Sequence, residues 1–102
     1  MNGKAKRFKI LIVDDHEVVR MGLRTLLERH EDLEIIGEAA SAQEAVDTSL
    51  KTLPDVVLMD VRLPDRSGIE ACREIRTAEP GIRVLMLTSY SDDEAVVASV
   101  IA

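Results

Sequence analysis

The sequence has a single cysteine, no long hydrophobic run, and little basic charge outside its first nine residues. With Cys72 alone an internal disulfide is impossible, which excludes a small disulfide-stabilised secreted scaffold and fits a reducing cytoplasm. We expect the Cys72 thiol to pack beside Ile69 and Ile75 rather than to react. No apolar run approaches the roughly 18 to 20 residues of a membrane-spanning helix, so we expect no membrane partner.

The basic charge is concentrated at the N-terminus. Four of the 13 Lys and Arg residues lie in the first nine positions, and residues 10–102 carry nine basic against 19 acidic side chains, a net charge of −10. Such a body repels nucleic-acid phosphates, so any DNA binding must reside outside this chain. We interpret residues 1–8 as a basic tail and residues 9–102 as one folded domain.

Short aliphatic runs alternate with longer helical patterns four times over, which predicts parallel βαβ units. The predicted strands are residues 8–13, 33–36, 56–59 and 82–87. Their near-continuous apolarity indicates strands that are covered on both faces. The predicted helices cover about residues 17–29, 42–51, 67–78 and 92–101.

The last three helices each begin with an S-x-x-E pattern, in which the Ser and Glu side chains bind free backbone amides at a helix start. These pairs are Ser41 with Glu44, Ser67 with Glu70, and Ser91 with Glu94. The chain ends inside the fourth helical pattern without a closing turn, so we expect it to be truncated.

Acidic side chains follow two of the predicted strands, at the edge where functional groups gather in an open parallel sheet. Asp14 and Asp15 come directly after the first strand, Asp60 ends the third, and Thr88 ends the fourth. Two like charges about 4 Å apart repel by roughly 4 kcal/mol at an effective dielectric near 20, so grouped carboxylates need a cation or raised pKa values. We therefore expect a divalent site, and Mg²⁺ is the usual ion beside a phosphate.

An Asp carboxylate can also be a nucleophile that becomes an aspartyl phosphate. The Thr88 hydroxyl would then donate to the phosphoryl oxygens. Each residue alone has a structural alternative, with Asp14 and Asp15 capping the next helix and Asp60 acting as a turn residue. Their joint placement at three strand ends favours a site. We interpret His16 as a solvent-exposed helix-start residue, because no second His lies at ligand spacing.

These motifs resemble a known family. The segments Ile12–His16, Leu58–Asp65 with Gly68, and Leu87–Tyr90 are similar to the receiver domain of bacterial two-component response regulators, over essentially the whole chain. The run Asp14–Leu23 further resembles NarL/LuxR-type regulators, in which the receiver precedes a helix-turn-helix output domain. The resemblance implies a three-layer α/β/α flavodoxin-like (CheY-like) fold with a parallel sheet in the order 2-1-3-4, the family's fifth strand and helix being missing.

The resemblance also implies roles for individual residues. Asp60 corresponds to the phosphoacceptor that takes a phosphoryl group from a histidine kinase, and Thr88 to the switch hydroxyl that reports it. Asp15 and Asp60 correspond to direct Mg²⁺ ligands, Asp14 to an acid acting largely through water, and Arg62 to the position whose backbone carbonyl binds the metal. We therefore expect a cytoplasmic signalling domain, not an enzyme, that controls transcription through a DNA-binding domain absent from this chain.

Two alternatives stay open beside this interpretation. The family's fifth strand carries a Lys that pairs with the phosphoryl group, whereas the last lysine here is Lys51, so the chain could be a phosphorylation-independent interaction or dimerisation module. A haloacid-dehalogenase-type phosphohydrolase is disfavoured, because Arg62 stands where that class needs a second acid.

The missing fifth strand is expected to leave apolar surface uncovered. Without it, the strand at 82–87 would be an exposed edge, and the last helix would expose apolar side chains. We therefore expect self-association.

Overall fold

The computed structural model describes residues 7–88 and 97–101, and side chains for residues 7–87. The strands are β1 (Phe8–Val13), β2 (Leu33–Ala39), β3 (Val56–Asp60), β4 (Arg83–Thr88) and β5 (Val97–Ile101). The helices are α1 (Glu17–Leu27), α2 (Ala42–Thr52) and α3 (Gly68–Ala78). Within the described residues, no helix has the length and apolarity to cross a membrane.

Strands β1 to β4 form a parallel sheet in the order β2-β1-β3-β4, which confirms the predicted order. Because the strands are parallel, their carboxyl ends meet at one edge of the sheet. Val13 pairs with Met59 between β1 and β3, so Asp14 and Asp60 come next on neighbouring strands. The register therefore brings the two acidic strand ends to the same place.

Both faces of the sheet carry apolar side chains, as the sequence predicted. On one face, Leu11 and Val13 pack with residues of α2 and α3, and on the other, Ile10 and Ile12 pack with residues of α1. This arrangement makes the three α/β/α layers. Cys72 lies in the α2/α3 core with only 2% of its surface exposed, as expected, and this burial raises the pKa of its thiol.

Local capping explains where two of the helices begin. At α2 the Ser41 hydroxyl accepts a hydrogen bond from the Glu44 amide at 3.1 Å. At α3 the Ser67 hydroxyl accepts one from the Ile69 amide at 3.0 Å. Both serines are the N-cap residues that the S-x-x-E pattern predicted. The third predicted cap, at Ser91, lies outside the described residues.

The prediction of a fourth helix over residues 92–101 is wrong for residues 97–101, which form β5. This strand pairs antiparallel with β4. Val97, Val100 and Ile101 are β-branched and favour extended backbone, and the pairing satisfies the backbone groups of the β4 edge. The prediction that the edge of β4 is exposed is therefore also wrong. Within the described residues the sheet has five strands instead of the predicted four. Residues 92–96 lie outside the described part of the chain.

Candidate metal centre

The carboxyl edge of β1 and β3 brings four potential metal ligands together. Asp14, Asp15, His16 and Asp60 each offer one ligand atom, and these atoms lie within 4.8 Å of one another. Asp14 is buried, Asp60 is half-buried, and Asp15 and His16 are exposed. Thr88 ends β4, but the position of its hydroxyl lies outside what the structure describes.

Asp14 is held by the sheet and by the start of α1. Its amide donates to the Ala39 carbonyl at 3.1 Å, which extends the pairing of β1 with β2 by one residue. Its carboxylate accepts a hydrogen bond from the His16 amide at 2.8 Å. The capping alternative for Asp14 is wrong, because the N-cap residue of α1 is His16, α1 has no side-chain cap, and the Asp14 carboxylate binds the His16 amide ahead of the helix.

The His16 ring lies between two carboxylates, which sequence reasoning did not foresee. Its Nδ1 is 2.9 Å from Asp14 Oδ1 and 3.0 Å from Asp15 Oδ1. The hydrogen bond with Asp14, helped by the charge of Asp15, raises the pKa of the imidazole. The side chain is nevertheless 67% exposed, as expected for a residue at the edge of a helix start. A protonated ring here offsets part of the repulsion between the acids.

Asp60 has the environment of a poorly solvated carboxylate. Burial is the main cause that raises its pKa, the charges of Asp14 and Asp15 raise it further, and a hydrogen bond from the Arg62 amide at 3.1 Å opposes the shift. That bond also places Arg62 next to the cluster.

The loop after Asp60 is closed tightly over the end of β3. The Gly68 amide donates to the Val61 carbonyl at 2.8 Å. A Cβ atom at position 68 would lie 2.2 Å from the Asp60 carbonyl oxygen. Position 68 therefore accepts only glycine without a shift of the backbone that carries Asp60.

Asp65 connects this loop to α2. Its carboxylate accepts hydrogen bonds from the Ala42 amide at 2.8 Å and the Gln43 amide at 2.9 Å, and these bonds lower the pKa of Asp65. Together with Ser41, Asp65 satisfies the first amides of the helix, which have no partner within it. The segment that follows Asp60 is thus fixed to a second element.

Sequence reasoning also missed an ion-pair network beside the cluster. Glu38 of β2 pairs with Arg20 at 2.8 Å and with Arg24 at 2.9 Å, both on α1, and the two guanidinium groups lower the pKa of Glu38. Arg20 also donates to the Asp14 backbone carbonyl. The sequence offers one local signal that Arg20 lies near the cluster, namely its position one helical turn after His16. Its pairing with Glu38 depends on the arrangement of α1 against β2, which local patterns do not reveal.

The donor set of the cluster fits a hard divalent cation. Asp14, Asp15 and Asp60 supply carboxylate oxygens, which Mg²⁺, Mn²⁺ and Ca²⁺ prefer. Their mutual repulsion makes an added positive charge favourable, and the charges of Asp14 and Asp15 add to the burial that raises the pKa of Asp60. The structure thus provides an acidic pocket that could hold a metal ion.

Comparison with known proteins identifies a family. The family model for the response regulator receiver domain matches residues 10–102. The chain is 48% identical over 94 residues to the DNA-binding transcriptional activator DevR/DosR of Mycobacterium tuberculosis, covering 92% of this chain and 43% of that protein. It is 44% identical over 88 residues to the response regulator protein VraR of Staphylococcus epidermidis, covering 86% of this chain and 42% of that protein.

Solved structures agree with these relatives. A two-component response regulator of the LuxR family from Aurantimonas superposes with a TM-score of 0.79 at 42% identity, covering 84% of this chain and 61% of that chain. This chain spans about two fifths of the length of the curated relatives it matches.

Proposed function

The chain belongs to the response regulator receiver family, and on this basis we propose that it accepts a phosphoryl group on Asp60 as a switch in two-component signalling. The observation that carries the proposal is the convergence of Asp14, Asp15 and Asp60, whose ligand atoms lie within 4.8 Å of one another. The burial that raises the pKa of Asp60 supports the same role, because a poorly solvated carboxylate is a better nucleophile.

We assign the metal to the same pocket. Asp15 and Asp60 would bind Mg²⁺ directly, Asp14 would act largely through water, and Arg62 would offer its backbone carbonyl. When bound, the ion supplies positive charge that offsets both the carboxylates and the phosphoryl oxygens. The hydrogen bond from the Arg62 amide to Asp60, 3.1 Å long, holds one oxygen of the carboxylate in place.

The reaction transfers a phosphoryl group from a phosphohistidine of a sensor kinase. An oxygen of Asp60 attacks the phosphorus atom, a P–O bond forms, and the P–N bond to the kinase imidazole breaks. The imidazole leaves with the bonding electron pair and is protonated by water. The Thr88 hydroxyl then donates to a phosphoryl oxygen, which shifts the population between two conformations of the end of β4. The chain is a phosphoryl acceptor and not an enzyme that turns over a substrate.

The whole protein has a wider role in this proposal. Residues 9–102 form the receiver, residues 1–8 a basic tail, and a DNA-binding output domain outside this chain controls transcription in the cytoplasm. The similarity to DevR/DosR, described as a DNA-binding transcriptional activator, supports this assignment. The alternative is a phosphorylation-independent interaction or dimerisation module.

Intact mass spectrometry tests the proposal. After incubation with Mg²⁺ and a small phosphodonor, we expect the chain to gain one phosphoryl group, and to gain none when a chelator removes the metal. Asp60→Asn should abolish the gain. Asp47→Asn is the matched control, because Asp47 lies on the exposed face of α2 and its carboxylate contacts Gln43 outside the pocket.

The outcome that contradicts the proposal is an unmodified mass. Because this chain spans about two fifths of the length of its curated relatives, the same measurement is made on the product of the full open reading frame. If that protein is also unmodified, phosphoryl transfer is rejected and the interaction module is favoured.

A further inference from the structure

We infer that Arg20 is a positioning residue of the acidic pocket, which fixes the backbone between Asp14 and Asp15 by anchoring it to Glu38. This inference rests on the proposed function, since it concerns a pocket that binds Mg²⁺. It assigns a role in the pocket to a residue that lies on α1 and offers no metal ligand.

The Arg20 guanidinium joins two elements at once. Its Nε donates to Glu38 Oε1 at 2.8 Å, and one of its terminal nitrogens donates to the Asp14 backbone carbonyl. Its side chain is only 16% exposed, so the contact is made largely out of water, and hydrogen bonds that involve a charged partner are among the stronger ones. The rigid planar fork of arginine suits such a double contact, which a lysine ammonium cannot copy.

The carbonyl that Arg20 holds belongs to the peptide that joins two of the proposed metal-binding acids. Because a peptide unit is planar, fixing the Asp14 oxygen also fixes the direction in which the chain enters Asp15. The other polar groups of Asp14 are held as well, its amide by Ala39 at 3.1 Å and its carboxylate by the His16 amide at 2.8 Å. Arg20 thus completes the set of contacts that orients this turn.

Arg24 provides an internal comparison. It pairs with the other oxygen of Glu38 at 2.9 Å, close to the 2.8 Å of the Arg20 pair, and therefore also connects α1 to β2. Its further ion pair runs to Glu28 at 3.0 Å, away from the pocket. Loss of either arginine removes one positive charge and one α1 to β2 ion pair, but loss of Arg20 also releases the Asp14 carbonyl.

The test compares Arg20→Gln with Arg24→Gln in the whole chain. Mg²⁺ affinity is measured by calorimetric titration, and the amide resonances of Asp14 and Asp15 are recorded by NMR without metal. We expect Arg20→Gln to weaken Mg²⁺ binding by about tenfold, as is common for residues that orient metal ligands, and Arg24→Gln to change it by less than about twofold. The Asp15 amide resonance should move in the first variant and not in the second.

A third variant controls for misfolding. Arg20→Lys keeps the charge but not the fork, so it should fold and still bind Mg²⁺ more weakly than the natural chain. If both Arg20 variants bind Mg²⁺ as tightly as the natural chain does, the positioning role is overturned and the proposed function stands. The same conclusion follows if Arg24→Gln weakens Mg²⁺ binding as much as Arg20→Gln does. If the natural chain binds no Mg²⁺, both are overturned.

Discussion

Asp15 is exposed, whereas Asp14 is buried and Asp60 is half-buried. A substitution at Asp15 can therefore change metal binding with little effect on folding. We expect Asp15→Asn to weaken Mg²⁺ binding by at least about tenfold, because a neutral amide replaces a proposed direct ligand. The free energy of unfolding without metal should change by no more than about 1 kcal/mol, since relief of repulsion and loss of the contact with His16 oppose each other at a solvent-exposed site. Calorimetric titration and denaturant unfolding measure the two quantities. Unchanged Mg²⁺ affinity together with a clear loss of stability would assign Asp15 a structural role.

Gly68 is the residue on which the closed loop after Asp60 depends most directly. In Gly68→Ala the new Cβ would meet the Asp60 carbonyl oxygen at 2.2 Å, so the backbone must move, at a cost of about 2 to 3 kcal/mol in unfolding free energy. Gly22→Ala is the control, because nothing lies within 4 Å of the Cβ position there and alanine favours the helix by up to about 1 kcal/mol. Denaturant unfolding compares the two, and equal stabilities would show that the loop yields easily.

At the scale of elements, Asp65 fixes the loop after β3 to the start of α2. Asp65→Ala removes both hydrogen bonds to the Ala42 and Gln43 amides, so we expect faster hydrogen exchange at these amides and a lower melting temperature. Asp47→Ala is a suitable control, because Asp47 lies on the exposed face of α2 and its carboxylate contacts the Gln43 side chain and not the amides that Asp65 binds. Equal exchange rates in the natural chain and Asp65→Ala would contradict this coupling.

The same contact predicts a dependence on pH. In the folded chain the pKa of Asp65 lies below its ordinary value of 3.8, because the ionised carboxylate accepts hydrogen bonds from two backbone amides. The ionised Asp65 therefore stabilises the fold fully when the pH is above the pKa of Asp65 in the unfolded chain. This stabilisation is lost as the pH falls through the lower pKa of Asp65 in the folded chain. The difference in melting temperature between the natural chain and Asp65→Ala should be largest near neutral pH and shrink as the pH falls below the pKa of an unfolded Asp. A difference that grows on acidification would contradict this assignment.

The elements that the sequence predicted well are those with strong local signals. Strand β1 matches its predicted bounds of Phe8–Val13, and Ser41 and Ser67 cap helices at the expected places. Residues 97–101 were predicted wrongly because a short run of valine and alanine suits a helix or a strand, and pairing with β4 decides between them.

In the candidate site, too, the sequence predicted the features with local signals and missed those that depend on contacts between elements. The acids at strand ends could be found because they follow recognisable strands. The contacts of Arg20 with Glu38 and of Asp65 with α2 could not, because each joins elements whose relative position no local pattern determines.

At the scale of the whole molecule, the two faces of the sheet are covered unequally. Helices α2 and α3 cover one face, while among the described residues α1 is the only helix on the other, where Val56, Leu85 and Leu87 are half-buried. We propose that this half-buried apolar face, and not the edge of β4 that pairs with β5, associates with a second copy of the chain. We expect an apparent mass above that of a monomer that rises with concentration, measured by size-exclusion chromatography with light scattering.

A matched pair of variants locates this association. Leu85→Glu should shift the chain towards a monomer, because it places a charge on the face of β4 that lies on the α1 side of the sheet. Leu50→Glu should not, since Leu50 lies on α2 on the opposite side and is already 39% exposed. A monomer at every concentration would contradict the expected self-association.

The proposed role of the molecule depends on which atom receives the phosphoryl group, and chemical trapping answers this most directly. Borohydride reduces an aspartyl phosphate to homoserine, which peptide mass spectrometry then locates in the sequence. After treatment with a phosphodonor we expect homoserine at position 60 when Mg²⁺ is present, none when it is absent, and much less when Asp15 is replaced by Asn. Homoserine at another acidic residue, or equal conversion of Asp60 without any divalent ion, would contradict the account.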